Sequence, residues 1–188
     1  QSTYSVSLHY RAKDGEEGYP GNLDVYVTYT LTKDNALSIV YEAKTDKPTI
    51  IGCTNHAYFN LEGEGKGTVH NHQLQVFADE YTPFDDTACP TGDICPVENT
   101  PMDFRELTRV GDRIDDVFFL PGRGIDNNFV LRPIPEGQKM RHAATLIADE
   151  RIMEVWTSAP GLQVYTGNWV EPNVGKSAIF NRIIGEKR

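Results

Sequence analysis

Cysteine is scarce, with three residues in 188, and the odd count rules out a closed disulfide framework. Cys89 and Cys95 stand close across Pro90 and Gly92, so a bridge between them is conceivable, but free thiols in a reducing compartment are the simpler reading. No apolar run approaches the roughly 18 residues a transmembrane helix needs. Positive charge is also short: 18 Lys and Arg against 27 Asp and Glu give a net charge of −9 and a pI near 5.0. Nucleic-acid backbones and anionic membrane surfaces select for positive stripes, so neither is an expected partner. There is no Asn-x-Ser/Thr sequon and no signal-peptide pattern, which together with the free thiols gives a cytoplasmic expectation. An initiator Met is missing as well. Gln1 leads straight into the alternating residues Tyr4, Val6, Leu8 and Tyr10, the look of a processed chain or an internal fragment.

What is present is a globular balance, 39% hydrophobic and 24% charged. A chain of this length buries roughly 70% of its unfolded surface and needs neither disulfides nor metal to hold a core. The expectation is a single domain over residues 1–188. Its pattern has period two almost throughout. Leu23, Val25, Val27, Tyr29 and Leu31 alternate with polar or smaller residues, and Leu37, Ile39, Tyr41 and Ala43 repeat the pattern after Lys33-Asp34-Asn35, predicting a hairpin. Further strands are predicted at Thr49–Cys53, Gln73–Ala78, Asn128–Arg132, His142–Ala148, Met153–Thr157 and Leu162–Thr166, separated by Gly- and Pro-rich turns. Only Asp103–Arg113 offers a helical turn, cut short by Gly111. The fold class is all-β, a sandwich or barrel of antiparallel strands.

Several chemistries fail on spacing. Gly63-x-Gly65-x-Gly67 does not open a helix, and Gly175-Lys176-Ser177 lacks the first glycine of a phosphate loop. No Gly-x-Ser-x-Gly elbow occurs. His70-Asn71-His72 could present two imidazoles on one strand face, but without a third ligand the pair reads as a solvated hairpin tip, and no metal site is expected. Proton transfer is then left to histidines and carboxylates. Thr54-Asn55-His56-Ala57-Tyr58-Phe59-Asn60-Leu61 places an imidazole among amides and aromatic rings directly after an apolar strand. Such a mixture suits a sugar, whose CH faces stack on rings while its hydroxyls need donors and acceptors, although a histidine satisfied by backbone would look the same. Asp126, between the Gly122–Gly124 turn and an apolar strand, could accept hydrogen bonds from vicinal hydroxyls or merely cap its own backbone.

Six blocks then carry a resemblance. They are Glu16-Glu17-Gly18-Tyr19-Pro20-Gly21-Asn22-Leu23, Thr54–Leu61, Tyr81-Thr82-Pro83-Phe84-Asp85 with Pro90-Thr91-Gly92, Thr100-Pro101-Met102-Asp103-Phe104-Arg105, Gly124–Val130 and Pro160-Gly161-Leu162-Gln163-Val164-Tyr165-Thr166-Gly167-Asn168. In this order, over about residues 10 to 170, the sequence resembles the aldose 1-epimerase (galactose mutarotase) family. The resemblance implies a large antiparallel β-sandwich of the galactose mutarotase type. It implies a monosaccharide of glucose or galactose type as substrate, interconversion of its α and β anomers, and no cofactor or metal. His56 falls at the general acid that protonates the ring oxygen, and Asp126 at the carboxylate that contacts sugar hydroxyls. Asn55 and Tyr58, in the same block as His56, are further expected substrate contacts. The family's base-bearing His-Ser-Gly-x-x-x-Glu-Thr-Gln pattern and its N-terminal substrate-contacting segment have no counterpart here. The expectation is therefore a partial chain, incomplete at both ends, with a second chain or copy completing the sandwich. A sugar-binding or structural β-sandwich without catalysis is the alternative reading.

Overall fold

The alternation of β-branched and aromatic residues with polar ones is realised as eleven strands and one short helix in the computed structural model, which describes residues 4–63, 68–114, 116 and 124–168. The chain divides into two units, Gln1–Ala57 and Tyr58–Arg188.

The first unit is a three-stranded antiparallel meander: β1 (Tyr4–Ala12), β2 (Leu23–Leu31) and β3 (Leu37–Thr45). Its register sorts most of the side chains by face. One face carries four apolar rungs across the three strands: Tyr4/Leu31/Leu37, Val6/Tyr29/Ile39, Leu8/Val27/Tyr41 and Tyr10/Val25/Ala43. On the other, Ser5 and Ser7 share hydroxyl hydrogen bonds with Thr30 and Thr28 at 2.8 Å, and His9 stacks on Tyr26 while its Nε2 meets Asp24 at 2.8 Å. The expected β2–β3 hairpin is present, closed by Thr32 N–H on Ala36 C=O with Asn35 in the left-handed region.

The second unit holds two four-stranded antiparallel sheets. One runs β10 (Arg151–Thr157), β9 (Arg141–Ala148), β4 (Gln73–Val76), β7 (Thr108–Arg109). The other runs β11 (Gly161–Tyr165), β8 (Asp126–Leu131), β5 (Ala78–Thr82), β6 (Cys95–Pro96). The predicted single strand Gln73–Ala78 is in fact the crossing between them. Phe77 donates its N–H to Ala143 C=O in β9 (2.9 Å) and accepts Arg132 N–H just beyond β8 (3.1 Å), so one residue is bonded to both sheets. Apolar residues of both sheets and their connections share one core. Phe104 meets Phe129 edge-on at 6.4 Å, surrounded by Val76, Val97, Met102 and Ile125. Burying each such large side chain stabilises by about 1.5–3 kcal/mol.

The antiparallel all-β expectation holds, with three local corrections. Thr49–Cys53 is not a strand: it pairs with nothing among the described residues, Pro48 before it lacks a donor, and Gly52 within it is a weak strand former. The helical turn, α1 (Gly111–Ile114), begins at Gly111 rather than ending there. His72 is no solvated tip. It is fully buried after a 3₁₀ turn, and its Nε2 accepts Leu61 N–H at 2.9 Å. Residues 64–67 of the turn expected over Glu62–Gly67, residues 121–123 of the one expected over Pro121–Gly124, and the Gly175-Lys176-Ser177 segment lie outside the described residues.

Burial holds the His72 pKa below its ordinary 6.5, against the opposing pull of Glu62 and the Val69 backbone. An unfolded chain therefore takes up this proton before the folded one does. The stabilisation is complete above 6.5 and drains away as pH falls below it. The paired carboxylates Asp79 and Asp103, lowered by Arg132 and Arg105, lose theirs only as pH drops below 3.8, so the two windows separate. His72→Gln, which keeps an acceptor for Leu61, is expected to melt lower than the parent near neutrality but to show a flatter stability profile between about pH 7.5 and pH 5. Thermal melts across that range check it; an unchanged slope assigns the acid loss to other groups.

Candidate functional site

Strand β5 stops at Thr82, paired with Asn128, while β8 runs on to Asp126. Past Thr82 the chain turns away through Pro83 into a short hairpin. Phe84 bridges Pro90, and Asp85 Oδ1 accepts from the Thr87 hydroxyl and from the N–H groups of Thr87 and Cys89. The end of β8 that extends past β5 and this hairpin enclose a cleft of about 150 Å³, with Thr82, Phe84, Pro90, Asp126, Asn127 and Gln163 among its walls. Its chemistry is mixed: an aromatic ring and a proline on one side, amides and a carboxylate on the other. That is the composition a polyhydroxyl ligand needs.

Asp126 is partly exposed at the mouth. Gln163, on the neighbouring strand β11, donates its Nε2 to Asp126 Oδ1 at 2.9 Å. Among the described residues nothing else hydrogen-bonds this carboxylate, so Oδ2 can accept from a ligand. Asn127, one residue on, is buried. Its Nδ2 donates to Thr82 C=O at 3.2 Å, and its Oδ1 has no partner among the described residues. A buried acceptor left unserved costs about 1–3 kcal/mol. Gly161 has no side chain to crowd Asn128: a Cβ there would stand 2.3 Å from the Asn128 Oδ1.

The approach to Asp126 is latched from the residues just after β11. Ile125 N–H donates to Thr166 Oγ1 at 3.0 Å, Ile125 C=O accepts from Thr166 N–H at 3.0 Å and from Asn168 Nδ2 at 2.9 Å, and Thr166 Oγ1 meets Asn168 Oδ1 at 2.5 Å. The latch leaves no volume at residue 124. Gly124 sits at φ 146, where L side chains are rare, and an added Cβ would lie 2.2 Å from Asn168 Oδ1 and 2.8 Å from Thr166 Oγ1. The Gly-x-Asp and Thr-Gly-Asn blocks are thus two halves of one arrangement.

Of the expected site residues, Tyr58 and Asp126 belong to the second unit. The Tyr58 ring lies 5.9 Å from Tyr165, the register partner of Asp126. Burial, then the neighbouring Tyr165 and Asp126, push the Tyr58 phenol up from its ordinary value. Asn55 and His56 belong to the first unit, exposed in the irregular segment after β3. Gln163 is the contact that sequence reasoning passed over. It stood inside a quoted block, and only the β8–β11 register, Asn128 opposite Gln163 and Asp126 opposite Tyr165, shows it beside the carboxylate. All three cysteines are free thiols, and no cluster of three metal-ligating side chains occurs among the described residues.

Fold and site together define an antiparallel β protein with an open cleft at a strand end, walled by ring, amide and carboxylate. The chain belongs to the aldose 1-epimerase family, whose model matches residues 1–184. It is 42% identical over 172 residues to the galactose mutarotase of Mus musculus, covering 90% of this chain and 48% of that protein. To the aldose 1-epimerase of Escherichia coli (strain K12) it is 40% identical over 172 residues, 90% of this chain and 49% of that one. The crystal structure of a galactose 1-epimerase from Lactobacillus acidophilus superposes with a TM-score of 0.83 at 34% identity, over 98% of this chain and 52% of that chain. The chain thus spans about half the length of the relatives it matches.

Gly124→Ala is expected to lower stability by about 1–3 kcal/mol, since backbone strain and the displaced latch act together. Gly137→Ala, at a positive φ of 78 with nothing within 4 Å of an added Cβ, carries a backbone cost without any collision and serves as the reference. Denaturant midpoints of the two variants decide the matter. Equal losses would mean that the latch at Ile125 contributes nothing beyond dihedral strain.

Proposed function

We propose that this chain is the sugar-holding part of an aldose 1-epimerase that interconverts the α and β anomers of a free hexose of glucose or galactose type. The observation that carries the reading is the Asp126 carboxylate, fixed by Gln163 through one oxygen and open to the cleft through the other. A carboxylate so held accepts hydroxyl donors without having to be ordered on binding. The reaction needs no more than proton transfer. A base takes the proton of the anomeric hydroxyl, the C1–O5 bond breaks, and His56 protonates the ring oxygen as it leaves. Rotation about C1–C2 and the reverse steps then give the other anomer. An imidazole suits the acid because its ordinary pKa lies near neutrality. Asn55 and Tyr58 stand beside His56 in sequence as further sugar contacts. The net charge of −9 argues against nucleic acid or an anionic membrane as partner, and three free thiols suit a cytoplasmic setting.

The test separates the two roles. In the complete, active protein, His56→Asn is expected to slow anomerisation roughly 10²–10⁴-fold. Asp126→Ala should instead weaken sugar affinity by roughly tenfold to a hundredfold while slowing bound turnover less. Polarimetry on freshly dissolved α-galactose measures both. A His56 variant as fast as the parent removes that residue from the mechanism.

The meander supplies a second element of the proposal. Its four apolar rungs are open to solvent at the edges, with Tyr4 72% exposed, Tyr10 60% and Leu37 56%. So large an apolar face calls for a covering layer. We assign that layer, and the base, to the half of the family's fold outside this match, because the relatives are about twice as long. Residues 1–188 expressed alone should self-associate or aggregate and lack full activity. A monodisperse monomer in light scattering with full polarimetric activity would overturn the assignment.

A further inference from the structure

Phe84 is a large aromatic side chain with no place in the core. It is half-buried, yet it belongs neither to the core cluster of the second unit nor to the apolar residues packed around it. What it lines is the cleft. The hairpin fixes its placement. Thr91 N–H donates to Pro83 C=O at 3.1 Å and Asp85 N–H to Cys89 C=O at 2.8 Å, so residue 84 is held between two cross-hairpin bonds. Phe84 and Pro90 stand opposite each other between those bonds, as a pair that exchanges none of its own. In such a pair the side chains leave on the same face and approach closely. The missing Pro90 N–H costs the hairpin nothing there. Both residues accordingly reach the cleft together, while Asp126 and Gln163 come to it from β8 and β11.

We infer that Phe84 is a specificity-determining residue, its ring the platform on which the CH face of a galacto-configured pyranose packs. The inference rests on the proposed aldose reading and adds to it the feature of the sugar that the cleft distinguishes. Hydroxyls leave a pyranose mostly around its rim, where a carboxylate and an amide can take them; its faces carry C–H bonds and need an apolar partner. In galactose the axial hydroxyl at C4 leaves the hydrogens of C3, C4 and C5 together on one face. In glucose the C4 hydrogen turns to the other face and the patch is broken. That patch lies away from C1 and is the same in both anomers, so a ring beneath it holds substrate and product alike. Phe84 thus contributes uniform binding, which shows in KM and not in kcat. Because the hairpin bonds already hold the ring's backbone, little ordering is needed when the sugar arrives.

The experiment uses the complete protein and compares the parent with Phe84→Leu and Phe84→Tyr on galactose and glucose, by calorimetry and polarimetry. Phe84→Leu, which keeps an apolar side chain but no ring face, should weaken galactose roughly threefold to tenfold, weaken glucose less, and leave kcat within about twofold. Phe84→Tyr, which keeps the face, should bind galactose as the parent does. On the parent, saturation of aromatic protons in NMR should pass most strongly to the C3, C4 and C5 protons of galactose, a readout that stands even if Phe84→Leu fails to fold. A Phe84→Leu variant that binds galactose as tightly as the parent, or weakens both sugars by one factor, overturns the inference and leaves the aldose reading standing. So does saturation spread evenly round the sugar. A parent that neither binds nor anomerises either sugar overturns both.

Discussion

Everything in the second unit depends on a crossing made at one peptide. By giving its N–H to β9 and its C=O to Arg132, Phe77 ties the two sheets into a single body and fixes where β5 starts. From that start the strand is only five residues long, so it ends at Thr82 while β8 is still extended. The cleft is the shortfall between the two strands. A bidentate ion pair from Arg132 to Asp79, at 2.7 and 2.8 Å, holds the opposite end of the β5–β8 pair. Both partners are about half exposed, so the pair contributes positioning more than stability.

The strands were legible because period two survives wherever one face is buried. In β4 Leu74 and Val76 are buried while Gln73 and Gln75 are not, and the sequence shows this alternation directly. What could not be read was the crossing at Phe77, because a strand that changes sheets keeps the same alternation while exchanging partners. Thr49–Cys53 misled for the converse reason. Its β-branched residues have the propensity but no ladder to join, and propensity without a partner is not a strand. His72 was misread because its neighbours are polar, and burial of an imidazole is decided by which distant N–H it meets, here that of Leu61.

The site divides the same way. His56 and Asp126 stand in blocks whose order along the chain carries the resemblance, so the resemblance names them as candidates where residue types alone left both open. Gln163 and Asn127 could not, because each acquires its meaning from a strand opposite: Gln163 from Asp126, Asn127 from Thr82. Gly124 is explained by neither its own segment nor its turn, but by the side chains of Thr166 and Asn168 that occupy the space where a Cβ would go.

The topology also orders events in time. The meander pairs residues close in sequence, as Leu31 with Leu37 and Tyr29 with Ile39 do, so it can close as soon as its own strands have left the ribosome. The sandwich has no such freedom. Strand β4 pairs Gln73 with Ile147, and β8 pairs Asp126 with Tyr165, so neither sheet can be completed until nearly all of the described chain has been synthesised. Until then Leu74 and Val76 wait without their β9 partners, and the nascent chain carries a finished apolar sheet alongside unpaired strand edges, the combination that calls for a chaperone during translation.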